Sequence, residues 1–416
     1  MLKATAPRRF VYGAPGRQQA ELPFLLNSQP AASRTLLSLA RAIFLLEDVI
    51  KNQPVDHLEI IVEDLFTLEQ LASVKIALQR LIRYVLLSEV EVSLNSSDHA
   101  PLNNRGVGNH ELTAEAVCLF SGGVDSLSGA MTARRRYGSL IGVYCSHANF
   151  SRLTHIVRQL GSAVFEGQSS RLVEVPGPAV GVTGYSQTRG FLYVLTGASV
   201  AAEARATKLV VSECGPTMFQ PHFAPADLIT MTTHPFVMAR AQEIVATVAP
   251  NIAVDFQFKN QTKAEIVALC PSPELLPLTH SCVSQRLVEH DGTCYGCVIR
   301  RLATIATGVK DRDYLKNPMI DPNANSGNLL ALLGFCRDLL LHRGAMPEYQ
   351  TGPIEELDRW DLFERYALDN FTALWQSGAS RLAPPVRSLL EEVVATVGQS
   401  ALTKRADVLE EMATLS

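Results

Sequence analysis

An apolar run that ends at Phe120 gives way to Ser121-Gly122-Gly123-Val124-Asp125-Ser126, and a helix-like run of small and apolar residues follows. Glycines at 122 and 123 remove two Cβ atoms, so the backbone can fold over an anion and present successive N–H groups to phosphate oxygens. Ser121 and Ser126 add hydroxyl donors. Asp125, at the start of the helix, can cap it or face a magnesium ion that accompanies a nucleotide. A ligand-free Gly-rich turn is the competing reading. No Gly-Lys-Ser/Thr follows, so the stretch is not a Walker-type loop.

The second group with chemistry in its spacing lies in "THSCVSQRLVEHDGTCYGCVIRRLA". Cys294 and Cys297 form a C-x2-C knuckle, Cys282 lies upstream, and histidines stand at 280 and 290. Thiolates at this spacing suit tetrahedral zinc, which would close the loop without redox chemistry. Three buried thiols in a reduced protein form the alternative.

Such residues need a framework that converges them. From residue 114 to about 310, short apolar runs ("AVCLF", "LIGVYCS", "RLVEVP", "KLVVSEC", "NIAVDFQ") alternate with helical segments. That alternation predicts an α/β fold, a parallel sheet flanked on both faces by helices, with ligands at the carboxyl ends of its strands. The pattern divides the chain into an N-terminal α/β extension at 1–110, a central domain at 111–315 and a C-terminal helical region at 316–416. An Asn- and Gly-rich connector at 95–110 reads as a linker.

With 47% hydrophobic and 19% charged residues and a net charge of −4, the 416-residue chain lacks the basic field that non-specific nucleic-acid binding requires. The basic run Arg134 to Arg136 reads as a solvated helix face. No apolar stretch is long enough to span a bilayer and the N-terminus lacks the apolar core of a signal peptide, so a cytoplasmic location is expected. Eight cysteines are too sparse for a disulfide scaffold in a chain of this length.

The stretch Ser121 to Ser126 resembles the pyrophosphate loop (PP-loop) of N-type ATP pyrophosphatases, which cleave ATP between the α- and β-phosphates. The cysteine segment narrows the resemblance to the 7-cyano-7-deazaguanine synthases, the QueC family, whose pattern is T-x-S-C, eight residues, then C-G-x-C-x2-C-x2-R. Here Thr279, Ser281 and Cys282 are followed by eight residues, then Asp291, Gly292, Cys294, Cys297 and Arg300, so one cysteine is replaced by Asp291 and the fourth zinc ligand would be Asp291, His290 or water. The resemblance covers roughly residues 115–310. It implies the adenine nucleotide alpha hydrolase-like fold, with ATP, Mg2+ and Zn2+ as cofactors.

Residue by residue, it implies that Ser121, Gly122, Gly123, Val124, Asp125 and Ser126 bind ATP. Ser121, Asp125, Arg189 and Lys263 are the implied catalytic set. "QTRGFLYVLTGASVAAEA" is similar to the family's Arg-containing helix, where Arg189 would hold nucleotide or substrate carboxylate. "TKAEIV" at 262–267 looks like a family helix start that turns Lys263 toward phosphate, with a solvated lysine as the other reading. His147 would act on a proton or contact the base, or be an ordinary loop histidine. Glu213 would pair with a guanine-like N1–H and exocyclic amine.

The expectation is therefore ATP-dependent adenylation of the carboxylate of 7-carboxy-7-deazaguanine, followed by amine attack to give an amide, a nitrile or a deazaguanine–protein conjugate. Long QueC-like proteins with comparable flanks occur in the anti-phage Qat and type IV CBASS operons, which implies an acceptor protein from a defence operon. The flanks could dock that acceptor or form a homodimer interface. Two alternatives stand beside this expectation: a tRNA-modifying PP-loop enzyme, and a non-catalytic nucleotide-binding scaffold.

Overall fold

The computed structural model describes residues 9–12, 31–62, 67–96, 113–146, 151–165, 170–178, 186–219, 232–282, 289–342 and 359–415. The chain begins with a three-stranded parallel sheet, β1 (Arg9–Tyr12), β2 (His57–Val62) and β3 (Glu91–Ser96), ordered β1-β2-β3. Two crossover helices join these strands, α1 (Ala31–Asn52) and α2 (Leu68–Leu86). A capping box starts α2: Thr67 Oγ accepts from the Gln70 N–H, and the Gln70 side chain accepts from the Thr67 N–H at 2.9 Å. The expected α/β extension is present, with β1 as an additional strand.

The central sheet is parallel and five-stranded: β4 (Ala116–Leu119), β5 (Leu140–Ser146), β6 (Ser170–Pro176), β7 (Lys208–Val211) and β8 (Ala253–Phe256). Each corresponds to a run expected to be a strand. The order is β6-β5-β4-β7-β8, so the winding reverses between β4 and β7. In open α/β sheets that reversal opens a crevice at the carboxyl ends of the two strands. The loop at 121–126 leaves β4, and Ser212 to Cys214 leave β7.

Alternating side chains of β4 belong to two cores, as the two-residue strand period requires. Val117 joins a core with α1, α2, α5 (Arg189–Glu203) and α7 (Pro235–Val248), which also contains Leu58 and Ile60 of β2. Ala116 and Cys118 face a second core with α3 (Val124–Arg136), α4 (Ser151–Phe165), α8 (Lys263–Ala268) and α9 (Tyr295–Ala306). That core continues into α10 (Gly327–Leu341), α11 (Arg359–Ser377), α12 (Pro384–Val397) and α13 (Gln399–Thr414). The short helix α6 (Gly215–Phe219) follows β7.

The boundaries near 110 and 315 thus mark changes in pattern, while the packing runs across both. Ser33 Oγ of α1 lies 2.9 Å from Ser199 Oγ of α5, and Gln70 Nε2 donates to the Thr247 carbonyl at 3.3 Å. Most of the expected linker lies outside the described residues. Among the described residues, no helix is long and apolar enough to cross a membrane. Arg134, Arg135 and Arg136 form an exposed end of α3, as expected, where positive charge suits a helix C-terminus.

Candidate functional site

The loop after β4 is built by its own short contacts. Gly122 has φ +77°, and a Cβ there would also come within 2.8 Å of Val157 on α4, so only glycine makes this turn without strain. Ser126 Oγ donates to the Gly123 carbonyl at 3.0 Å, and Ser121 Oγ reaches Ser126 Oγ at 3.2 Å. Gly123 is the N-cap of α3, without a side-chain cap, so the first N–H groups of the helix face the loop.

Asp125 does not cap α3, as the sequence had allowed. Its Oδ2 accepts from Lys263 Nζ at 2.5 Å and from the Cys214 N–H at 3.3 Å, so it looks across the crevice rather than back at its own helix. Its Oδ1 is buried without a hydrogen-bond partner. Helix and strand can approach this closely because residue 129 has no side chain. A Cβ on Gly129 would lie 1.8 Å from Ser212 Oγ at the end of β7.

Lys263 is not a solvated lysine: its side chain is 16% exposed and its partner is a carboxylate. Burial alone would lower its pKa, but the negative field of Asp125, with Cys214 and Glu213 behind it, holds it above the ordinary lysine value. Glu213 follows β7 and is half-buried. Burial, reinforced by Asp125, pushes its carboxyl up to about 7 against the opposing fields of Lys263 and Arg189. Four expected residues from separate parts of the chain, Asp125, Lys263, Glu213 and Arg189, therefore share one electrostatic neighbourhood at the switch point. His147 lies outside the described residues.

Arg189 opens α5, and the chain that leads into that helix is held by a buried carboxylate. Glu47 of α1 accepts from the Gln187 N–H at 2.8 Å, the Thr188 N–H at 2.9 Å, Thr188 Oγ at 2.7 Å and Ser186 Oγ at 2.7 Å. Sequence reasoning missed Glu47, because its partners are about 140 residues away and nothing local marks it. The "TKAE" start of α8 does carry a local signal: Thr262 and Glu265 form a capping box.

The thiols of Cys282, Cys294 and Cys297 and a carboxylate oxygen of Asp291 lie within 4.8 Å of one another. Three soft thiolates and one carboxylate are a donor set that suits tetrahedral zinc. Asp291 Oδ1 is oriented by the Thr293 and Cys294 N–H groups at 2.7 and 2.9 Å. His290 is not in the group. It is fully buried, and its Nε2 accepts from the Ser281 N–H at 3.3 Å. The extended bridge of His290 with Tyr314 accounts for the choice, since successive residues of extended backbone face opposite sides.

The cysteine segment leans on the loop. His280 donates its N–H to the Gly122 carbonyl at 2.9 Å, two residues before Cys282. Arg300 of α9, 1% exposed, fixes the same segment by donating to the Thr279 and Leu276 carbonyls at 2.8 and 2.7 Å. Its Nε donates to both oxygens of Asp311. A shallow cavity of about 580 Å3 near Glu115, Tyr137, Arg205 and Lys208 lies at the amino ends of β4 and β7, away from the crevice where α/β sheets hold ligands.

No protein-family model matches this chain, and no curated protein matches it.

Proposed function

We propose that the crevice at Ser121 to Ser126 binds ATP with magnesium and transfers its adenylyl group to a carboxylate. The reading rests above all on the convergence of Asp125, Lys263, Glu213 and Arg189 on a Gly-rich loop at the sheet's switch point. A substrate carboxylate oxygen attacks the α-phosphorus and the bond to the bridging oxygen breaks, so pyrophosphate leaves on the loop. The Ser121 and Ser126 hydroxyls and the N–H groups opening α3 hold that anion. Lys263 and Arg189 offset developing charge. The orphaned Asp125 Oδ1 fits a metal cation, and magnesium bound there would supply charge neutralisation.

The substrate in this reading is 7-carboxy-7-deazaguanine, with Glu213 accepting from the base edge. An amine then attacks the acyl carbon and AMP leaves. The amine is ammonia or a protein amine from a defence partner. Zinc on Cys282, Asp291, Cys294 and Cys297 would have a structural part.

The protein is to be incubated with 7-carboxy-7-deazaguanine, ATP and magnesium, with and without ammonia, and AMP and adducts measured by mass spectrometry. AMP formation that disappears in Ser121→Ala and Asp125→Asn is expected. Tight ATP binding without AMP under every condition would favour a nucleotide-binding scaffold, a reading to which the Lys263–Asp125 pair lends support, since it satisfies both charges internally. Absence of ATP binding would remove both readings.

A further inference from the structure

Both flanking regions send buried charges to the first residues of a site helix. Glu47 is 2% exposed and accepts from four groups at residues 186 to 188, with Lys51 Nζ as a further donor at 2.8 Å. All four groups immediately precede Arg189. On the other side, Asp369 of α11 accepts from Thr262 Oγ at 2.5 Å and from Arg405 Nε of α13 at 2.6 Å. Arg405 also donates to Glu265 at 2.6 Å, and Arg365 donates to the same Glu265 oxygen. Thr262 and Glu265 are the capping pair around Lys263.

Buried ionic groups of this kind are poor sources of net stability, since apolar groups of similar volume often serve as well. What they supply is direction. A carboxylate bonded to two consecutive N–H groups just ahead of a helix fixes how the chain enters it, and so where its first side chain leaves. The Glu47 carboxylate thus holds the chain that enters α5, whose first side chain is the Arg189 guanidinium.

We propose that Glu47 and the Arg405–Asp369–Glu265 network are positioning groups for the crevice, the first acting through Arg189 and the second through Lys263. The flanking regions are then part of the site's framework, whatever else they contact. The inference rests on the proposed nucleotide site, and its tests separate the two.

Magnesium–ATP affinity is measured for wild type, Glu47→Gln, Arg405→Gln, Arg189→Ala, Lys263→Ala and the four crossed double variants, at a temperature where circular dichroism shows each folded. Glu47→Gln and Arg405→Gln should each weaken binding about tenfold, a coupling of the size seen between contacting groups. Glu47→Gln should add nothing in the Arg189→Ala background yet keep its full effect with Lys263→Ala, and Arg405→Gln should show the reverse. Additive losses in all four doubles mean a merely structural role and overturn the proposal while leaving the nucleotide site standing.

If wild type binds no nucleotide, the proposed function falls. The positioning claim is then judged from the Glu213 carboxyl titration by carbon NMR, in the field of Asp125 on α3, Lys263 on α8, Arg189 on α5 and Tyr295 on α9. Glu47→Gln raising the Glu213 pKa as Arg189→Ala does would sustain it. An unmoved titration would overturn it. Where Glu47→Gln fails to fold, Glu47→Asp is carried through the same cycle, with partial recovery expected.

Discussion

At the scale of single residues, the site is a set of charges whose states are decided by neighbours from other elements. Glu213, raised to about 7 from 4.5 by burial and then by Asp125, binds its proton more tightly folded than unfolded. The folded state therefore holds more protons between those two values, and stability falls as pH rises from 4.5 through about 7. Urea unfolding of Glu213→Gln should show a smaller loss of stability over that window than wild type; an unchanged slope would assign the effect elsewhere. Asp291 and His290 differ in the same local way, one facing the thiols and the other Ser281. Asp291→Ala should lose most of its zinc and Asp291→Cys should retain it, by elemental analysis. His290→Asn should keep the metal and lower the melting temperature, whereas loss of zinc in that variant would make the histidine a ligand.

At the scale of elements, the cysteine segment and the loop after β4 form one mechanical unit. The chain from Thr279 to Cys282 is tied to α9 through Arg300, to Gly122 through His280, and to the knuckle by its own cysteine. With zinc on the proposed site, its removal would free Cys282 and leave three crowded thiols, and the His280 contact should loosen. Chelation should therefore speed amide exchange across residues 121–126 and weaken binding of magnesium–ATP, with readdition of zinc reversing both. Unchanged exchange in a zinc-free protein would confine the metal's effect to the knuckle. The same scale accounts for Lys263: α8 is too short to hold itself, and its capping box is anchored by α11 and α13.

At the scale of the whole molecule, neither flank can be removed without opening a core. Val117, Phe191, Leu195 and Ile244 of the central unit share a core with Leu36, Ile43 and Leu78 of the N-terminal one. Leu302 and Ala264 share the other with Phe371, Val386 and Leu409. A fragment of residues 111–315 should expose both apolar faces and bind a hydrophobic dye, without a cooperative melt. A sharp transition from that fragment would show that the flanks dock on an already stable unit.

The local features were legible in the chain alone: the five central strands, the glycine turn after β4, the cysteine spacing and the all-helical end. These follow from period, propensity and residues a few positions apart, so they are written in short windows. It took the packed fold to show that Asp125 faces Lys263 instead of capping α3, that Asp291 and not His290 joins the thiols, and that Glu47 and Arg405 reach the starts of the helices of Arg189 and Lys263. The partners in those contacts come from elements far apart along the chain. Which ones meet is fixed by the order in which strands add to the sheet and by how the helices pack over it, and no short window of sequence contains that order.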